Sequence, residues 1–353
     1  MQNPALLIDK VKFRDNALKL RALFDQHHKE FHVVTKCFCA YEPMVQVLAE
    51  AGITRLADSR LENFYCLQKY AQDSLLLRLP MLSEVAEVVG LCDMSLNSEY
   101  DTICALSDAA LAQQKTHGVI LMLEMGDRRE GASLEEADAM IAKIVNLRGV
   151  RLRGIGANFN CYGGVIPDEK KMREMADFAN YVEQRYGFEL DYVSGGNSGS
   201  LWLLEENKLP PEVNHLRIGE AFLLGRETSF GRSIAGLHHD VFTLRAEVIE
   251  QKRKPSLPDG RIGLNALGEE VTFKDEGMLN RVILAIGAQD LDPSRVEAKL
   301  KGVRYLGNSS DHTIFDVTRL NQDLRVGDTL DFTLDYSCLL SLFTSPYVKK
   351  FWI

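Results

Sequence analysis

A single lysine at the end of an apolar run is the residue whose position most clearly suggests chemistry. Lys36 follows Phe31–Thr35, a short segment rich in β-branched residues. In barrels and open α/β sheets, catalytic groups collect outside the carboxyl ends of the strands. If Phe38 and Tyr41 shield Lys36 from water, its amine can lose a proton at neutral pH and act as a Schiff-base nucleophile. The alternative is a strand-end lysine that merely extends its ammonium into solvent.

Two glycine-containing motifs later in the chain could bind an anion beside such a lysine. The loop Ser194–Ser200 combines backbone N–H groups with hydroxyls and leads into a helix near Leu201, a combination that suits phosphate. Arg217-x-Gly219 follows at the next apolar run. Barrels often hold phosphate on the loops after strands seven and eight. A glycine-rich loop alone is more often a tight turn, so the inference depends on the fold.

Strand-like and helix-like segments alternate from Phe31 onward. Eight short apolar runs recur at a spacing of roughly 20 to 35 residues, and Ser133 with Glu136 predicts a capping box for one intervening helix. This rhythm predicts a (β/α)8 barrel that ends near residue 235. A doubly wound sheet would fit the alternation, but no G-x-G-x-x-G follows the first strand.

The periodicity changes to two beyond the barrel. Phe242–Ile249 and Leu330–Tyr336 alternate apolar with polar residues, which predicts strands of a separate domain. We therefore expect an α/β (β/α)8 barrel over residues 1–237, followed by a mainly-β domain over residues 238–353.

Composition and charge exclude several classes of protein. The chain has 353 residues, a formal net charge of −9 and a pI near 5.5, so nucleic acid is not an expected partner. The N-terminus lacks the features of a signal peptide and no apolar run reaches membrane-spanning length, which predicts a cytoplasmic protein without a membrane partner. The seven cysteines show neither a disulfide pattern nor zinc-finger spacing, so Cys37 and Cys39 are expected to pack as thiols and no metal is expected.

In combination, these motifs resemble the fold-type III pyridoxal-phosphate enzymes, the alanine racemase superfamily, over essentially the whole chain. The resemblance is carried by Leu7–Asp9 with Phe13 and Asn16–Ala17, Val33–Lys36, Gly126-x-x-Arg129-x-Gly131, Asn197–Ser198 and Arg217-x-Gly219. Within that group, the stretches 35–41, 285–290 and 309–312 are similar to the ornithine and lysine racemase branch. The resemblance implies a pyridoxal 5'-phosphate-dependent racemase of a basic amino acid, working as a head-to-tail homodimer with shared active sites.

The resemblance also implies roles for individual residues. Lys36 would carry the internal aldimine and act as one proton-transfer base, and Arg217 would face the pyridine nitrogen and keep it unprotonated. Arg129 would lie near the substrate carboxylate, with Tyr336 as a further substrate contact. Met122 stands where many alanine racemases have a carbamylated lysine, so another group must order Arg129. The remaining expected cofactor contacts are Tyr41, Asn158, Asn197, Ser198, Gly219 and Glu220.

Racemisation requires a second base on the opposite face of Cα. Alanine racemases use a tyrosine from the partner's β domain, but in this chain the matching context, Ile286–Asp290, has Ala288 in that place. His312, beside Asp311, is the leading candidate because imidazole titrates near neutral pH. The alternatives are Asp290, Asp311 and Tyr336. The two aspartates could instead bind a cationic substrate side chain.

Two other functions match parts of the pattern. A lyase or dehydratase resembling D-threonine aldolase or D-serine dehydratase would have a metal near the site, and His238–Asp240 matches such a motif by letter. Surface polar residues at the domain junction explain that segment equally well. A pyridoxal-phosphate carrier would consist of the barrel alone, so the extra β domain argues against it while the missing tyrosine argues for it.

Overall fold

The chain folds into two compact units in a computed structural model that describes residues 2–265 and 268–353. One unit is Arg14–His239, and the other joins the residues up to Phe13 to Asp240–Ile353. The boundary after residue 239 lies two residues from the expected one. The first 13 residues differ from expectation, because they belong to the C-terminal unit and not to the barrel.

The first elements of the chain are strand β1 (Ala5–Ile8) and helix α1 (Lys10–Gln26). The eight strands that follow close into a parallel barrel in chain order, all of them in the described part of the chain. They are β2 (Glu30–Val34), β3 (Arg55–Asp58), β4 (Asp73–Leu76), β5 (Met94–Asn97), β6 (His117–Leu123), β7 (Val150–Ala157), β8 (Tyr192–Ser194) and β9 (His215–Ile218). These are the eight apolar runs of the sequence, so the predicted (β/α)8 barrel is confirmed.

Helices follow each barrel strand and cover the outside of the barrel. They are α2 (Glu42–Glu50), α3 (Leu61–Leu67), α4 (Val85–Leu91), α5 (Tyr100–Ala112), α6 (Leu134–Ile144), α7 (Glu169–Tyr186), α8 (Leu201–Glu205) and α9 (Glu220–Leu224). The predicted capping box begins α6: the Ser133 hydroxyl accepts from the Glu136 N–H, and the Glu136 carboxylate accepts from the Ser133 N–H.

Alternate residues of the barrel strands point into the barrel and fill it. The apolar part of this filling is Val34, Ala57, Leu75, Met94, Leu96, Ile120, Met122 and Tyr192. Polar residues also occupy inward positions: His32 lies two residues before Val34 on β2, and His215 alternates with Arg217 on β9. All three are buried. The barrel interior therefore carries buried polar side chains on β2 and β9 beside its apolar filling.

Strand pairing brings four strand ends together. β9 pairs with β2 through Val33 and Ile218, β8 pairs with β9, and β7 pairs with β8 through Gly156 and Ser194. Asn158 follows the carboxyl end of β7, and Ser198 follows that of β8. Gly219 follows the end of β9, and Lys36 follows that of β2. Residues that are separated by more than 180 positions in the chain are thus neighbours at one edge of the barrel.

The C-terminal unit is built around an antiparallel sheet. Its elements after the barrel are β10 (Phe242–Pro255), β11 (Met278–Leu284), β12 (Glu297–Ala298), β13 (Arg304–Asn308), β14 (Thr313–Asp316), β15 (Thr329–Thr333), α10 (Tyr336–Thr344) and β16 (Lys349–Trp352). β1 belongs here because it pairs antiparallel with Phe242–Arg245 and parallel with Lys349–Trp352. The strand predicted from Phe242 is confirmed.

The strand predicted over Leu330–Tyr336 ends earlier than the alternation suggests. β15 stops at Thr333, and Tyr336 begins helix α10. The Asp335 carboxylate accepts from the Cys338 N–H at 2.8 Å, which is the hydrogen bond of an N-cap. The N-cap aspartate therefore prevails over an alternating pattern that continues by chance for three residues.

None of the described helices combines the length and the apolar character needed to cross a membrane. The cysteines form no disulfide within the described residues. Cys37 is buried, as expected for a packed thiol.

Candidate active site

The turn after β2 holds Lys36 at the edge of the barrel. The Thr35 hydroxyl donates to the Asp58 carboxylate at 2.5 Å, so the neighbouring strand anchors the residue before the lysine. Lys36 then begins a 3-10 turn and is exposed. Phe38 is fully buried and packs edge-on against Phe222, with ring centroids 6.3 Å apart. The expected shielding of Lys36 by Phe38 is wrong, because the turn directs this ring into the core.

Arg217 is a buried cation beside this turn. Its side chain lies on β9, and the residue is 3% exposed. Its Nη2 donates to the Ala157 carbonyl at 2.7 Å and to Asn158 Oδ1 at 2.6 Å, while Nη1 donates to Ser194 Oγ. Burial lowers the pKa of Arg217 to about 10, so the guanidinium remains charged at neutral pH. Arg217 and Asn158, each predicted as a cofactor contact, are in direct contact.

Glu130 connects this pair to Arg129. The Glu130 carboxylate accepts from Arg129 Nη2 at 2.6 Å and also from Arg129 Nε and Asn158 Nδ2. The hydrogen bond to Glu130 raises the pKa of Arg129. Sequence reasoning assigned no role to Glu130, although an acidic residue between Arg129 and Gly131 was visible. Glu130 is the group that orders Arg129 in a chain with Met122 in place of a carbamylated lysine.

Ser198 and two backbone N–H groups converge on one point near the end of β9. Ser198 Oγ accepts from the N–H of Gly219 at 3.3 Å and of Ala221 at 3.2 Å. A Cβ atom on Gly219 would lie 3.3 Å from Val34 Cβ, so a side chain there would crowd β2. This group of donors has the chemistry that binds an oxyanion.

Two of the other predicted cofactor contacts, Asn197 and Glu220, have side-chain partners within the protein. Asn197 Nδ2 donates to the Phe159 carbonyl at 2.7 Å, and Asn197 Oδ1 accepts from the Gly199 N–H at 2.8 Å. Asn197 therefore holds the loop before Ser198. The Glu220 carboxylate pairs with Arg226 Nε at 3.1 Å, which leaves its backbone N–H as the group relevant to an anion. Tyr41 is half-buried and precedes α2.

The candidates for the second base belong to the C-terminal unit. His312 Nδ1 lies 2.9 Å from Asp311 Oδ1, and both residues are exposed. The hydrogen bond from His312 lowers the pKa of the Asp311 carboxyl. The Ala288 N–H donates to the Ser309 carbonyl at 2.9 Å, so the segment that lacks the tyrosine packs directly against the loop that carries His312.

The other two candidates have different surroundings. Asp290 is 7% exposed and accepts from the Ser345 hydroxyl at 2.6 Å, which is a contact typical of a structural carboxylate. Tyr336 is the half-buried first residue of α10. The structure therefore groups His312 with Asp311 and directs Asp290 elsewhere.

The histidines before the C-terminal unit are engaged in local contacts. His238 Nε2 lies 2.7 Å from Asp15 Oδ2, and His239 Nδ1 lies 3.0 Å from the Leu224 carbonyl oxygen. Asp240 pairs with Lys12 at 2.6 Å. Over residues 2–265 and 268–353, no three or more His, Cys, Asp or Glu side chains are grouped as metal ligands.

Comparison with known proteins agrees with this geometry. The family model described as alanine racemase, N-terminal domain, matches residues 8–226. The chain belongs to the alanine racemase family. Within the family it is 41% identical over 348 residues to ornithine racemase of Acetoanaerobium sticklandii, covering 98% of this chain and 99% of the relative. It is 39% identical over 352 residues to lysine racemase of Thermotoga maritima, covering 99% and 98%.

A solved alanine racemase has the same fold. The enzyme from Bartonella henselae, whose structure contains covalently bound pyridoxal phosphate, superimposes with a TM-score of 0.75 and 18% identity, covering 99% of each chain. The expected family, its ornithine and lysine racemase branch and the barrel with a C-terminal β domain are thereby confirmed. The assignment to the amino-acid racemases, which are isomerases, is confirmed with them.

Proposed function

We propose that the protein racemises a basic amino acid, ornithine or lysine, with pyridoxal 5'-phosphate as cofactor. The observation that carries the proposal is the buried Arg217 guanidinium, held by Asn158 and Ser194 on the strand next to the one that ends at Lys36. The substrate class comes from the two relatives that match nearly the full chain, an ornithine racemase and a lysine racemase.

The residues at the barrel edge fit this cofactor. The Ser198 hydroxyl with the N–H groups of Gly219 and Ala221 supplies donors for a phosphate, and the N–H of Glu220 lies between them in the chain. Arg217 supplies a donor that carries positive charge at neutral pH and cannot accept a proton. Lys36 supplies an exposed primary amine. These are the three chemical partners that a phosphorylated pyridine aldehyde requires.

When bound, the cofactor supplies an electron-withdrawing system that makes the Cα proton of an attached amino acid acidic. Arg217 would hold the ring nitrogen through N–H donors and, as a permanent cation, would keep it unprotonated. Lys36 would hold the cofactor through its amine and would serve as the base for the Cα proton on one face. The Glu130 carboxylate holds Arg129, whose guanidinium binds the substrate carboxylate.

His312 moves the proton on the opposite face in this proposal. The Asp311 carboxylate orients its imidazole through Nδ1, which leaves Nε2 for the substrate. Asp311 is exposed and carries negative charge, so it also favours a substrate with a cationic side chain. Asp290 is a weaker candidate for either role because Ser345 already hydrogen-bonds to it, and Tyr336 stays an alternative contact to the substrate.

The assembly that fits these roles is a homodimer in which the C-terminal unit of each chain completes the active site of the other. This arrangement supplies His312 to a site built around Lys36. The lyase alternative is not favoured, because His238 and His239 have Asp15 and Leu224 as partners. A cofactor carrier would leave amino-acid Cα protons unexchanged.

The decisive experiment is incubation of the purified protein with pyridoxal phosphate and a panel of L-amino acids in D2O. Proton NMR follows loss of the Cα signal, and chiral chromatography identifies the product. We expect deuterium at Cα together with the D-enantiomer, with the highest rate for ornithine or lysine. Formation of aldehyde, keto acid or ammonia would establish a lyase, and absence of exchange with the cofactor bound would establish a carrier.

A further inference from the structure

A chain of hydrogen bonds runs through the barrel interior away from Arg217. Arg217 Nη1 donates to Ser194 Oγ, which lies 2.8 Å from His215 Nδ1. His215 Nε2 lies 2.8 Å from His32 Nδ1. His32 Nε2 has no hydrogen-bond partner among the described residues, and Asp73 Oδ2 lies 4.0 Å from it.

The two ends of this chain determine its direction. The Arg217 guanidinium can only donate, so Ser194 Oγ accepts from it and keeps one proton to donate. His215 Nδ1 is the acceptor that the described residues offer for that proton. In this direction His215 carries its own proton on Nε2 and donates to His32 Nδ1. His32 carries its proton on Nε2, directed towards the Asp73 carboxylate. The opposite tautomers would point an imidazole lone pair at that carboxylate.

Both imidazoles are uncharged at neutral pH. Burial lowers the pKa of His32 to about 3, with the cations Arg55, Arg153 and Arg217 acting in the same direction. Burial also lowers the pKa of His215 well below its usual value. A neutral imidazole has one donor and one acceptor, which is what a link inside such a chain requires.

The far end of the chain is anchored at the amino ends of the barrel strands. The Asp73 carboxylate accepts from the Tyr192 hydroxyl and lies 3.5 Å from Arg153 Nη1. The Tyr192 ring packs beside both histidines, with centroids 4.9 Å from His215 and 5.9 Å from His32. This packing restricts the rotation of both imidazoles.

We propose that Ser194, His215 and His32 are positioning residues that hold the Arg217 guanidinium in the plane and direction needed at the cofactor's ring nitrogen. The inference rests on the proposed function, in which Arg217 faces that nitrogen. Asn158 and Ala157 fix Nη2 of the guanidinium, and the chain of hydrogen bonds that begins at Ser194 fixes Nη1. Two fixed nitrogens define the orientation of a planar group, whereas one leaves it able to rotate.

The first test measures the tautomers and needs no cofactor. Nitrogen-15 NMR of imidazole-labelled protein, assigned with His215→Asn and His32→Asn, distinguishes Nε2–H from Nδ1–H histidine. We expect both residues to be Nε2–H and to remain so when pyridoxal phosphate is added. An Nδ1–H tautomer at either position would overturn the proposed direction.

The second test compares His215→Phe with His117→Phe. His117 is also a buried histidine, and its Nε2 lies 2.8 Å from Ser95 Oγ, but no hydrogen bond in the described residues links it to Arg217. We expect His215→Phe to alter the absorption spectrum of the bound cofactor and to lower kcat roughly tenfold, because Ser194 loses its partner and holds Arg217 Nη1 less firmly, with KM little changed. His117→Phe should retain the wild-type spectrum and kcat.

Ser194 provides a milder pair of variants that keeps the test valid if His215→Phe does not fold. Ser194→Ala removes the acceptor for Arg217 Nη1, and Ser194→Thr restores a hydroxyl. We expect the alanine variant to reproduce the changes in spectrum and kcat and the threonine variant to reverse most of them. If the wild-type protein is active and the Ser194, His215 and His117 variants show the same cofactor spectrum and the same kcat as one another, the positioning role is overturned. A wild-type protein that binds no cofactor would instead overturn the proposed function.

Discussion

At the scale of single residues, the site combines one exposed amine with a buried cation. Lys36 is exposed on a turn, whereas Arg217 is buried and has three hydrogen-bond acceptors. The exposed amine suits the proposed covalent attachment, while the hydrogen bonds of the buried guanidinium fix its orientation. Glu130 joins Arg129 to Asn158, which accepts from Arg217, so the proposed cofactor and substrate contacts form one network.

Substitution of Lys36 by alanine tests the attachment of the cofactor. We expect Lys36→Ala to lose the covalent link, because Nζ is the atom that would form it. Borohydride reduction of the protein with pyridoxal phosphate, followed by mass spectrometry of peptides, locates the modified lysine. Lys170→Ala, a change at an exposed lysine of α7, should keep the modification at Lys36. A reduced adduct of undiminished yield on another lysine in Lys36→Ala would refute the assignment.

Substitution of His312 tests the second base. His312→Asn should slow Cα proton exchange far more for one enantiomer than for the other, because each base serves one face of Cα. Exchange rates of the separate L- and D-enantiomers in D2O provide the measurement. Asp311→Asn should show the same asymmetry to a smaller extent, since it removes only the orienting charge. Equal losses for both enantiomers would instead indicate a structural role for His312.

At the scale of elements, the ends of neighbouring strands hold one another in place. The Asp58 carboxylate at the end of β3 accepts from Thr35 Oγ1 and from the backbone N–H groups of Ser59 and Arg60. Burial raises the pKa of Asp58, while these donors act in the opposite direction. A buried acceptor that serves several donors thus ties the residue before Lys36 to the turn that follows β3.

Removal of the Asp58 carboxylate should therefore destabilise the barrel. We expect Asp58→Ala to lower the free energy of unfolding by roughly 3 kcal/mol, because it leaves buried donors without an acceptor. Urea unfolding measures the change. Asp58→Asn keeps one acceptor oxygen and should lose less. Asp25→Ala, at an exposed position of α1, is the matched control, and a loss of similar size there would contradict the explanation.

At the scale of the whole molecule, buried histidines make stability depend on pH. Burial lowers the pKa of His32 to about 3 and that of His117 to about 4. The unfolded chain, with imidazole pKa values near 6.5, binds more protons between these limits. The stability that the neutral imidazoles contribute is thus fully present above about pH 6.5 and is lost progressively as the pH falls from there towards the folded-state values.

The direction of this pH dependence can be measured at pH values where most carboxyl groups do not titrate. The free energy of unfolding should decrease between pH 7 and pH 5, by up to roughly 1.4 kcal/mol for each pH unit and buried histidine. Urea unfolding at both pH values gives the difference. His117→Gln should reduce it, and His28→Gln, at an exposed position of the barrel unit, should not. Identical differences in all three proteins would refute the role of the buried imidazole.

The proposed shared active site can be tested by mixing two inactive chains. Lys36→Ala and His312→Asn each damage a different contribution to the site. After denaturation and refolding together, half of the dimers are mixed, and each mixed dimer has one intact site if the sites are shared. We expect recovery of about a quarter of wild-type activity. If no activity is recovered and sedimentation shows dimers, both residues belong to the site of the same subunit.

The cytoplasmic location inferred from the sequence stays a prediction.

The sequence by itself determined the family and the barrel, and it predicted which strand ends carry the residues of the proposed site. The end of a strand is marked by a few consecutive residues. A parallel barrel brings such ends to one edge, and here they are marked by Lys36 after a β-branched run, by Ser194–Ser200 and by Arg217-x-Gly219. The capping box of α6 is equally local and was predicted for that reason. These features depend on neighbours within a few residues, which a single sequence displays.

Only the tertiary structure decided the features that join distant segments. β1 belongs to the C-terminal unit because it pairs with strands more than 230 residues away, and Phe38 leaves Lys36 exposed because Phe222 receives its ring. His32, Ser194 and His215 form one chain because inward positions on three neighbouring strands face each other across the barrel interior. Hydrogen bonds and packing of this kind depend on register and closure of the sheet, which local sequence patterns do not encode.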